Sequence, residues 1–237
     1  VRERHVDGRV GALEAALADL GPARADTAVD VALTYLAQAE VAMSEGRTRE
    51  ALERSTRGAG VLDEHGLATG APLARLLALE ARAITQHSDH GGAARLLARA
   101  KAALERDRDP ALYARLEVDE ANAWILSLDR TLYEPARSRL EALLPRLLAA
   151  GDEAGAIHAL RTLGNLAYYA GDMSAAEDRF RDALTRCERL GDLPLAAGLW
   201  NNLGLAARMR GELRRAEGLS AQAGHEFRPL GQGHVHD

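Results

Sequence analysis

The chain has 237 residues, of which 47% are hydrophobic and 4% are aromatic, and its formal net charge at pH 7 is −5. This charge argues against a dedicated nucleic-acid surface, which usually carries a basic stripe, and no apolar run approaches the roughly 18 residues that cross a bilayer. The first residues lack the apolar core of a signal peptide, so we expect a cytoplasmic protein with no direct contact to nucleic acid or membrane.

The sequence predicts helices along its whole length. Strand signals are almost absent, because apolar residues recur at steps of three and four instead of alternating. Alanine and leucine, both strong helix formers, supply most of the apolar content. In chain order the predicted helices cover residues 8–20, 24–45, 48–64, 71–87, 91–106, 110–129, 132–149, 153–170, 173–190, 194–210 and 213–229.

A repeat of about 40 residues joins these helices in pairs. Gly164 recurs as Gly204, and Gly171, followed by Asp172, suits a left-handed residue that ends one helix before an aspartate caps the next. Alanines at matching positions continue the series at steps of 39, 42, 43, 40 and 40 residues: Ala12, Ala51, Ala93, Ala136, Ala176 and Ala216. Paired helices with this period predict an α-solenoid, in which each hairpin buries its apolar side on its neighbours.

Two hairpins carry large and small residues at matching positions. They are Leu160, Leu163, Gly164, Ala167, Ala176, Phe180 and Ala183 in one hairpin, and Trp200, Leu203, Gly204, Ala207, Ala216 and Ala223 in the next. These residues resemble the tetratricopeptide repeat, specifically over 151–230 and in degenerate form over 8–150, where Trp124 stands in place of the small glycine. The 40-residue unit is similar to the variant found in large bacterial signalling and transcription regulators.

The resemblance implies a right-handed all-α solenoid of stacked antiparallel hairpins. It has about five and a half repeats in a single domain over residues 1–237. Residues 8–20 read as a second helix without its first, and "LGQGHVHD" at the C-terminus is similar to "LGDLPLAA", the lead-in to an earlier hairpin. We therefore expect the chain to be a segment of a longer array, truncated at both ends.

No stretch of the sequence reads as an active site. It contains no Gly-rich phosphate loop, no Gly-x-Ser-x-Gly and no His-Glu-x-x-His. Two stretches, "HSDH" at 87–90 and "HVHD" at 234–237, contain metal-ligand residue types, and we interpret both as solvated loop residues. We predict a protein that is not an enzyme and that holds no cofactor and no metal.

Other polar residues are interpreted structurally. Carboxylates on helices, such as Asp119 and Glu177, are predicted to be solvated or ion-paired and not catalytic. The single cysteine, Cys187, excludes a disulfide framework and is predicted to be a packing residue. Arg215, in the last hairpin, is predicted to face solvent.

In the tetratricopeptide family, the first helix of each hairpin lines a concave groove. Carried over, those positions give the candidate partner-binding residues Arg161, Asn165, Tyr168, Asn201, Asn202 and Arg208. Arg161, Asn165 and Asn202 coincide with positions at which co-chaperone members hold a peptide's terminal carboxylate, and both residue types donate to carboxylates. The alternative is that the tyrosines fill gaps and the asparagines tie helices together. The first helix at 71–87, rich in Ala and Leu, suits packing more than recognition.

The resemblance implies a non-catalytic interaction module of a larger bacterial regulator, which binds a protein segment or peptide in its concave groove. The alternative function is a small-molecule sensor array, in which an effector alters the curvature and controls an attached ATPase or DNA-binding module. A sensor should contain a deep pocket lined by aromatic residues and arginine, whereas a scaffold should present a long open groove.

Overall fold

The computed structural model describes residues 25–104 and 109–226, which form ten α-helices and no strand. The helices are α1 (Ala25–Ser44), α2 (Thr48–Glu64), α3 (Ala71–Gln86), α4 (His90–Ala103), α5 (Pro110–Leu126), α6 (Tyr133–Ala149), α7 (Glu153–Ala170), α8 (Met173–Leu190), α9 (Leu193–Met209) and α10 (Leu213–Glu226). The all-α prediction is confirmed. Every predicted helix from 24–45 onward starts within one residue of an observed one. The predicted ends that fall among the described residues differ from the observed ends by at most three residues. The predicted ends at 106 and 229 and the predicted helix 8–20 lie outside the described residues.

Internal contacts divide the chain into two compact units. The N-terminal unit contains α1 to α5 and ends at Ser127, and the C-terminal unit starts at Leu128 and contains α6 to α10. Within each unit every helix packs against the next one in the chain, and α3 also packs against α1 and α5. These nearest-neighbour contacts are those of an all-α solenoid, as the repeat predicts. The single domain over 1–237 stays a prediction.

Aspartates start half of the described helices. The carboxylate accepts a hydrogen bond from the backbone N–H three residues further on, at 2.8–3.1 Å, in Asp89, Asp109, Asp152, Asp172 and Asp192. Such a cap is worth about 1 kcal/mol, because it satisfies a donor that the first helical turn leaves unpaired. Just before Asp172, Gly171 ends α7 in the left-handed region at φ 90°, so the predicted turn is confirmed.

α5 ends three residues before its predicted end at 129. The chain turns at Leu128, where φ is 60°, and Asp129 accepts a hydrogen bond from the backbone N–H of Thr131 at 3.0 Å. Asp129 therefore starts a separate 3-10 turn, Arg130–Leu132, and does not continue the helix.

Small residues lie where helices touch. Gly164 on α7 is buried, and a Cβ atom added there would overlap the ring of Phe180 on α8. Ala176 on α8 is fully buried in the same core. Larger side chains at these positions would force the two helices apart. The prediction that the repeated glycine and alanine mark helix contacts is therefore confirmed.

Each unit contains one tryptophan. Trp124 is half-buried on α5 of the N-terminal unit. Trp200 is half-buried on α9 and packs against the core of the C-terminal unit, around Leu160 and Phe180. Both indole rings therefore sense the packing of the unit in which they lie.

Candidate functional site

A stripe of half-buried side chains runs along one side of α7. Its members recur at steps of four and three residues, which keeps them on one face of a helix. They are Ala154, His158, Arg161, Asn165 and Tyr168. Three of the predicted partner-binding residues therefore share one stripe. Leu163 and Leu166, on the opposite side of α7, are buried.

An equivalent stripe lies on α9, 40 residues further along the chain. Its exposed members are Gly198, Asn201, Leu205 and Arg208. The predicted residues Asn201 and Arg208 thus lie together, and Met209 beside them is 62% exposed. We call these two stripes, at positions 154–168 of α7 and 198–208 of α9, the groove face.

Asn202 lies beside the groove face and not on it, because one residue turns a helix by about 100°. The equivalent residue on α7 is Thr162, which is 1% exposed and donates from Oγ1 to the carbonyl of His158 at 2.8 Å. Asn202 is half-buried and makes no hydrogen bond to any described residue. Of the three predicted carboxylate donors, Arg161 and Asn165 share a stripe and Asn202 does not.

The two arginines of the groove face have different surroundings. Arg161 is half-buried, and its Nη2 donates to Nδ1 of His158 at 3.3 Å. Arg208 is exposed and has no ion pair or hydrogen bond with a described residue. The prediction from sequence missed His158, although its position three residues before Arg161 on one helix face was a usable signal.

Two tyrosines form an edge-to-face pair at the end of α7. The rings of Tyr168 and Tyr169 have centroids 5.4 Å apart and planes at 84°. Burial, then the neighbouring Tyr168 and Tyr133, raises the pKa of Tyr169, so its hydroxyl stays protonated at neutral pH. Tyr168 also packs against the core of the C-terminal unit, which agrees in part with the gap-filling alternative.

Two helical carboxylates are ion-paired, as predicted. Asp119 lies 3.2 Å from Arg82, and Glu177, which is 6% exposed, contacts several arginines. One of these is Arg215, whose side chain is 36% exposed, so the position predicted to face solvent is half-exposed and also ion-paired. The guanidinium of Arg215 donates to Glu177 and to Glu212, since the helix carrying Arg215 packs one repeat further along the stack.

Cys187 is a packing residue, as predicted. It is fully buried, its Sγ donates to the carbonyl of Asp192 at 3.1 Å, and burial raises the pKa of the thiol to about 11. In the turn at 87–90, Nδ1 of His87 lies 3.0 Å from the carbonyl of Ala83. The second histidine stretch, 234–237, lies outside the described residues.

Across residues 25–104 and 109–226, no three His, Cys, Asp or Glu side chains are grouped so that they could hold a metal ion. None of the helices described is both long enough and apolar enough to cross a membrane.

Neither a protein-family model nor a curated protein matches the chain. Solved structures do. BtubC (BKLC) from P. vanneervenii is 17% identical with a TM-score of 0.62, covering 99% of this chain and 96% of that one. The putative kinesin light chain with nearly identical TPR-like repeats from Podosopora anserina is 13% identical with a TM-score of 0.51, covering 84% and 96%. These likenesses establish the fold as a tetratricopeptide-like all-α solenoid, and the predicted resemblance is confirmed at that level.

Proposed function

We propose that the chain is a non-catalytic interaction module that binds a protein segment or peptide along the groove face. The proposal places it in the bacterial cytoplasm, within a larger regulator of signalling or transcription. A tetratricopeptide-like solenoid supports an interaction role in general, because stacked hairpins form extended concave binding surfaces.

The observation that carries the proposal is the state of Asn201 and Arg208. Both side chains are exposed, and neither has a hydrogen bond or an ion pair with any described residue. Leu205 and Met209, beside them, are 37% and 62% exposed. Arginine next to apolar contact area is a common composition of the residues that contribute most binding energy at interfaces.

The groove face suits a partner that carries a carboxylate. Arg161 and Arg208 supply positive charge, and the amides of Asn165 and Asn201 supply neutral donors. No aspartate or glutamate occupies a stripe position on either helix. Hydrogen bonds between a guanidinium and a carboxylate are charge-assisted and roughly twice as strong as neutral ones. An acidic side chain or a free C-terminus is therefore the expected ligand group.

The small-molecule sensor, which would control an attached ATPase or DNA-binding module, has weaker support. Pockets for small effectors usually enclose about 300–1,000 Å³. The pocket that α6, α7 and α8 form is about 60 Å³ and lies on the side of α7 away from the groove face. This pocket is too small to enclose an effector.

Titration calorimetry with a hexa-aspartate peptide that has a free C-terminal carboxylate tests the proposal. We expect Arg161→Ala and Asn201→Ala, both on the groove face, to weaken binding while the melting temperature stays that of the wild type. Arg75→Ala, on the exposed side of α3 in the N-terminal unit, is the matched control and should bind as the wild type does. Unchanged affinity in both groove variants, or a melting temperature that falls together with affinity, would return these residues to a structural role.

A further inference from the structure

On the side of α9 away from the groove face, the space between α8 and α10 is filled by charged side chains. Glu177 on α8 is 6% exposed and accepts hydrogen bonds from the guanidinium of Arg215 on α10. Arg181 and Arg210 lie 2.5 Å and 3.3 Å from the same carboxylate. The hydrogen bond from Arg215 is the main cause that lowers the pKa of Glu177. A side chain of the following hairpin thus closes this space.

Forty residues earlier, the equivalent space between α6 and α8 is open. Arg137 stands at the position of Glu177, and Ala175 stands at the position of Arg215. Because alanine is too short to cross the space, a pocket of about 60 Å³ remains. We call it the outer pocket. Its floor is Leu163, Leu166 and Ala167, and its charged walls are Arg137, Glu141 and Arg179.

The charged side chains around the outer pocket have few hydrogen-bond or ion-pair partners within the described part of the chain. Arg179 and Glu141 have no hydrogen bond or ion pair with any described residue. Nε of Arg137 lies 3.2 Å from Glu134, whose side chain is 80% exposed, but this Nε is buried and the alignment forms no hydrogen bond. Buried polar atoms are normally paired. Nε of Arg137 and the guanidinium of Arg179 both lack a hydrogen-bond acceptor among the described residues. The missing partner is therefore an acceptor, and an anionic one forms the stronger bonds with guanidinium groups.

The volume of the outer pocket limits the size of that partner. A single water needs at least about 10–15 Å³, so the outer pocket accommodates a carboxylate with one or two methylene groups. Drug-sized ligands need about 300–1,000 Å³ and do not fit. The apolar floor suits the methylene groups of an aspartate or glutamate side chain, and the guanidinium groups suit its carboxylate.

We propose that the outer pocket binds the side-chain carboxylate of an acidic residue from a partner protein. The carboxylate accepts hydrogen bonds from Arg137 and Arg179 and covers the apolar floor. The partner thereby supplies from outside the closure that Arg215 supplies within the chain one hairpin later, with the signs of the charges exchanged. This site is separate from the groove face, because its floor lies on the other side of α7.

The test uses the full chain with Arg161→Ala and Arg208→Ala, which removes the arginines of the groove face. An acetylated and amidated hexaglutamate peptide, which has no terminal carboxylate, is titrated into this protein by calorimetry at low salt. We expect binding that falls at least tenfold when Arg179→Gln is added. Ala175→Glu should cause the same loss, because its own carboxylate then occupies the outer pocket.

Matched controls identify the site and the ligand group. Arg189→Gln, on the same helix but outside the pocket, should leave the affinity within twofold, and a hexalysine peptide should not bind. Sodium acetate at the same carboxylate concentration as hexaglutamate should compete only weakly with the peptide. If acetate competes as well as the peptide itself, the pocket is a site for free anions, and the proposal of a protein ligand is overturned.

Two results overturn the proposal directly. One is the absence of hexaglutamate binding to the protein with both groove arginines removed, and the other is unchanged affinity after Arg179→Gln. If Ala175→Glu lowers the melting temperature, Arg179→Gln decides the question alone. Ala175 packs against the core of the C-terminal unit, whereas Arg179 is a charged wall of the outer pocket.

Discussion

The first helices of two hairpins, α3 in the N-terminal unit and α9 in the C-terminal unit, differ in the partners of their arginines. On α3 in the N-terminal unit, two exposed arginines pair with carboxylates on neighbouring first helices. Arg75 lies 2.7 Å from Glu40, and Arg82 lies 3.2 Å from Asp119. On α9 in the C-terminal unit, Arg208 has no such partner among the described residues. The same side of a first helix is closed by ion pairs on α3 and open at Arg208 on α9.

What a helix can bind therefore depends on the ion-pair partners of its side chains as well as on its composition. The sequence predicts packing for α3, and eight of its side chains are buried. Its ion pairs are partly exposed and contribute at most about 1 kcal/mol each to stability. Their larger effect is to occupy guanidinium groups that a ligand would otherwise contact. An acidic segment is therefore expected to choose the C-terminal unit.

The largest expected effect breaks the packing of the C-terminal unit. Gly164→Leu places a side chain where the ring of Phe180 already lies, so we expect the free energy of unfolding to fall by about 3 kcal/mol. Gly204→Ala is the matched control, since its Cβ would lie 3.2 Å from Oγ of Ser220 and needs a much smaller shift. Urea denaturation measures both, and an equal loss would show that the two glycines do not differ as described.

The next prediction tests the availability of arginine itself. Arg208→Ala should weaken binding of the hexa-aspartate peptide to the groove face about tenfold, or about 1.4 kcal/mol, whereas Glu40→Ala should create an additional weak binding event by freeing Arg75. Calorimetry detects the additional event as a stoichiometry above that of the wild type. A single event of unchanged affinity in both variants would contradict the comparison between the units.

A smaller effect concerns the pH dependence of stability in the C-terminal unit. The pKa of Glu177 is lowered in the folded protein, mainly by the hydrogen bond from Arg215. Such a carboxyl stabilises the fold above its unfolded-state pKa, near 4.5, and this contribution is lost as the pH falls through the folded-state pKa. Glu177→Gln should therefore cost about 1 kcal/mol at pH 7, and the difference from wild type should shrink at pH 3. A pH-independent loss would assign the effect to packing.

The smallest effect has the opposite sign and lies in the N-terminal unit. Burial raises the pKa of Glu80 on α3, and hydrogen bonding from Thr56 and the charge of Arg99 oppose it in part. A carboxyl with a raised folded-state pKa is stabilising when protonated, and it loses that contribution as the pH rises through the raised value. Glu80→Gln should thus increase stability at pH 7 by up to about 0.5 kcal/mol. Thermal unfolding at pH 7 and pH 4 checks the sign, and a loss at pH 7 would refute it.

Local residues were enough to predict the helices. Helix ends depend on turn residues such as Gly171 and Asp172, and apolar periodicity indicates which stretches are helical. The close contact at Gly164 was also predictable, because a repeat places equivalent residues against equivalent neighbours. Three members of the groove face on α7 followed from the same register.

Contacts between repeats could not be predicted in this way. Arg215 pairs with Glu177, which lies 38 residues earlier in the chain. From the sequence, several other carboxylates were equally plausible partners, and so was a solvated arginine without a partner. Asn202 differs from Asn201 by one residue, but the turn of the helix places only Asn201 on the stripe. The outer pocket exists because the side chain of Ala175 is short. The sequence does not reveal this, because only the structure shows that the equivalent residue, Arg215, fills the corresponding space one hairpin later.

The two tryptophans, one in each unit, provide separate optical reporters. Replacing Trp124 with phenylalanine leaves indole emission only from α9, and replacing Trp200 leaves it only from α5. The emission maxima of these two proteins along a denaturant series tell whether the units lose their structure together or in sequence. A ligand seated on the C-terminal unit should shift the spectrum of one reporter and leave the other unchanged.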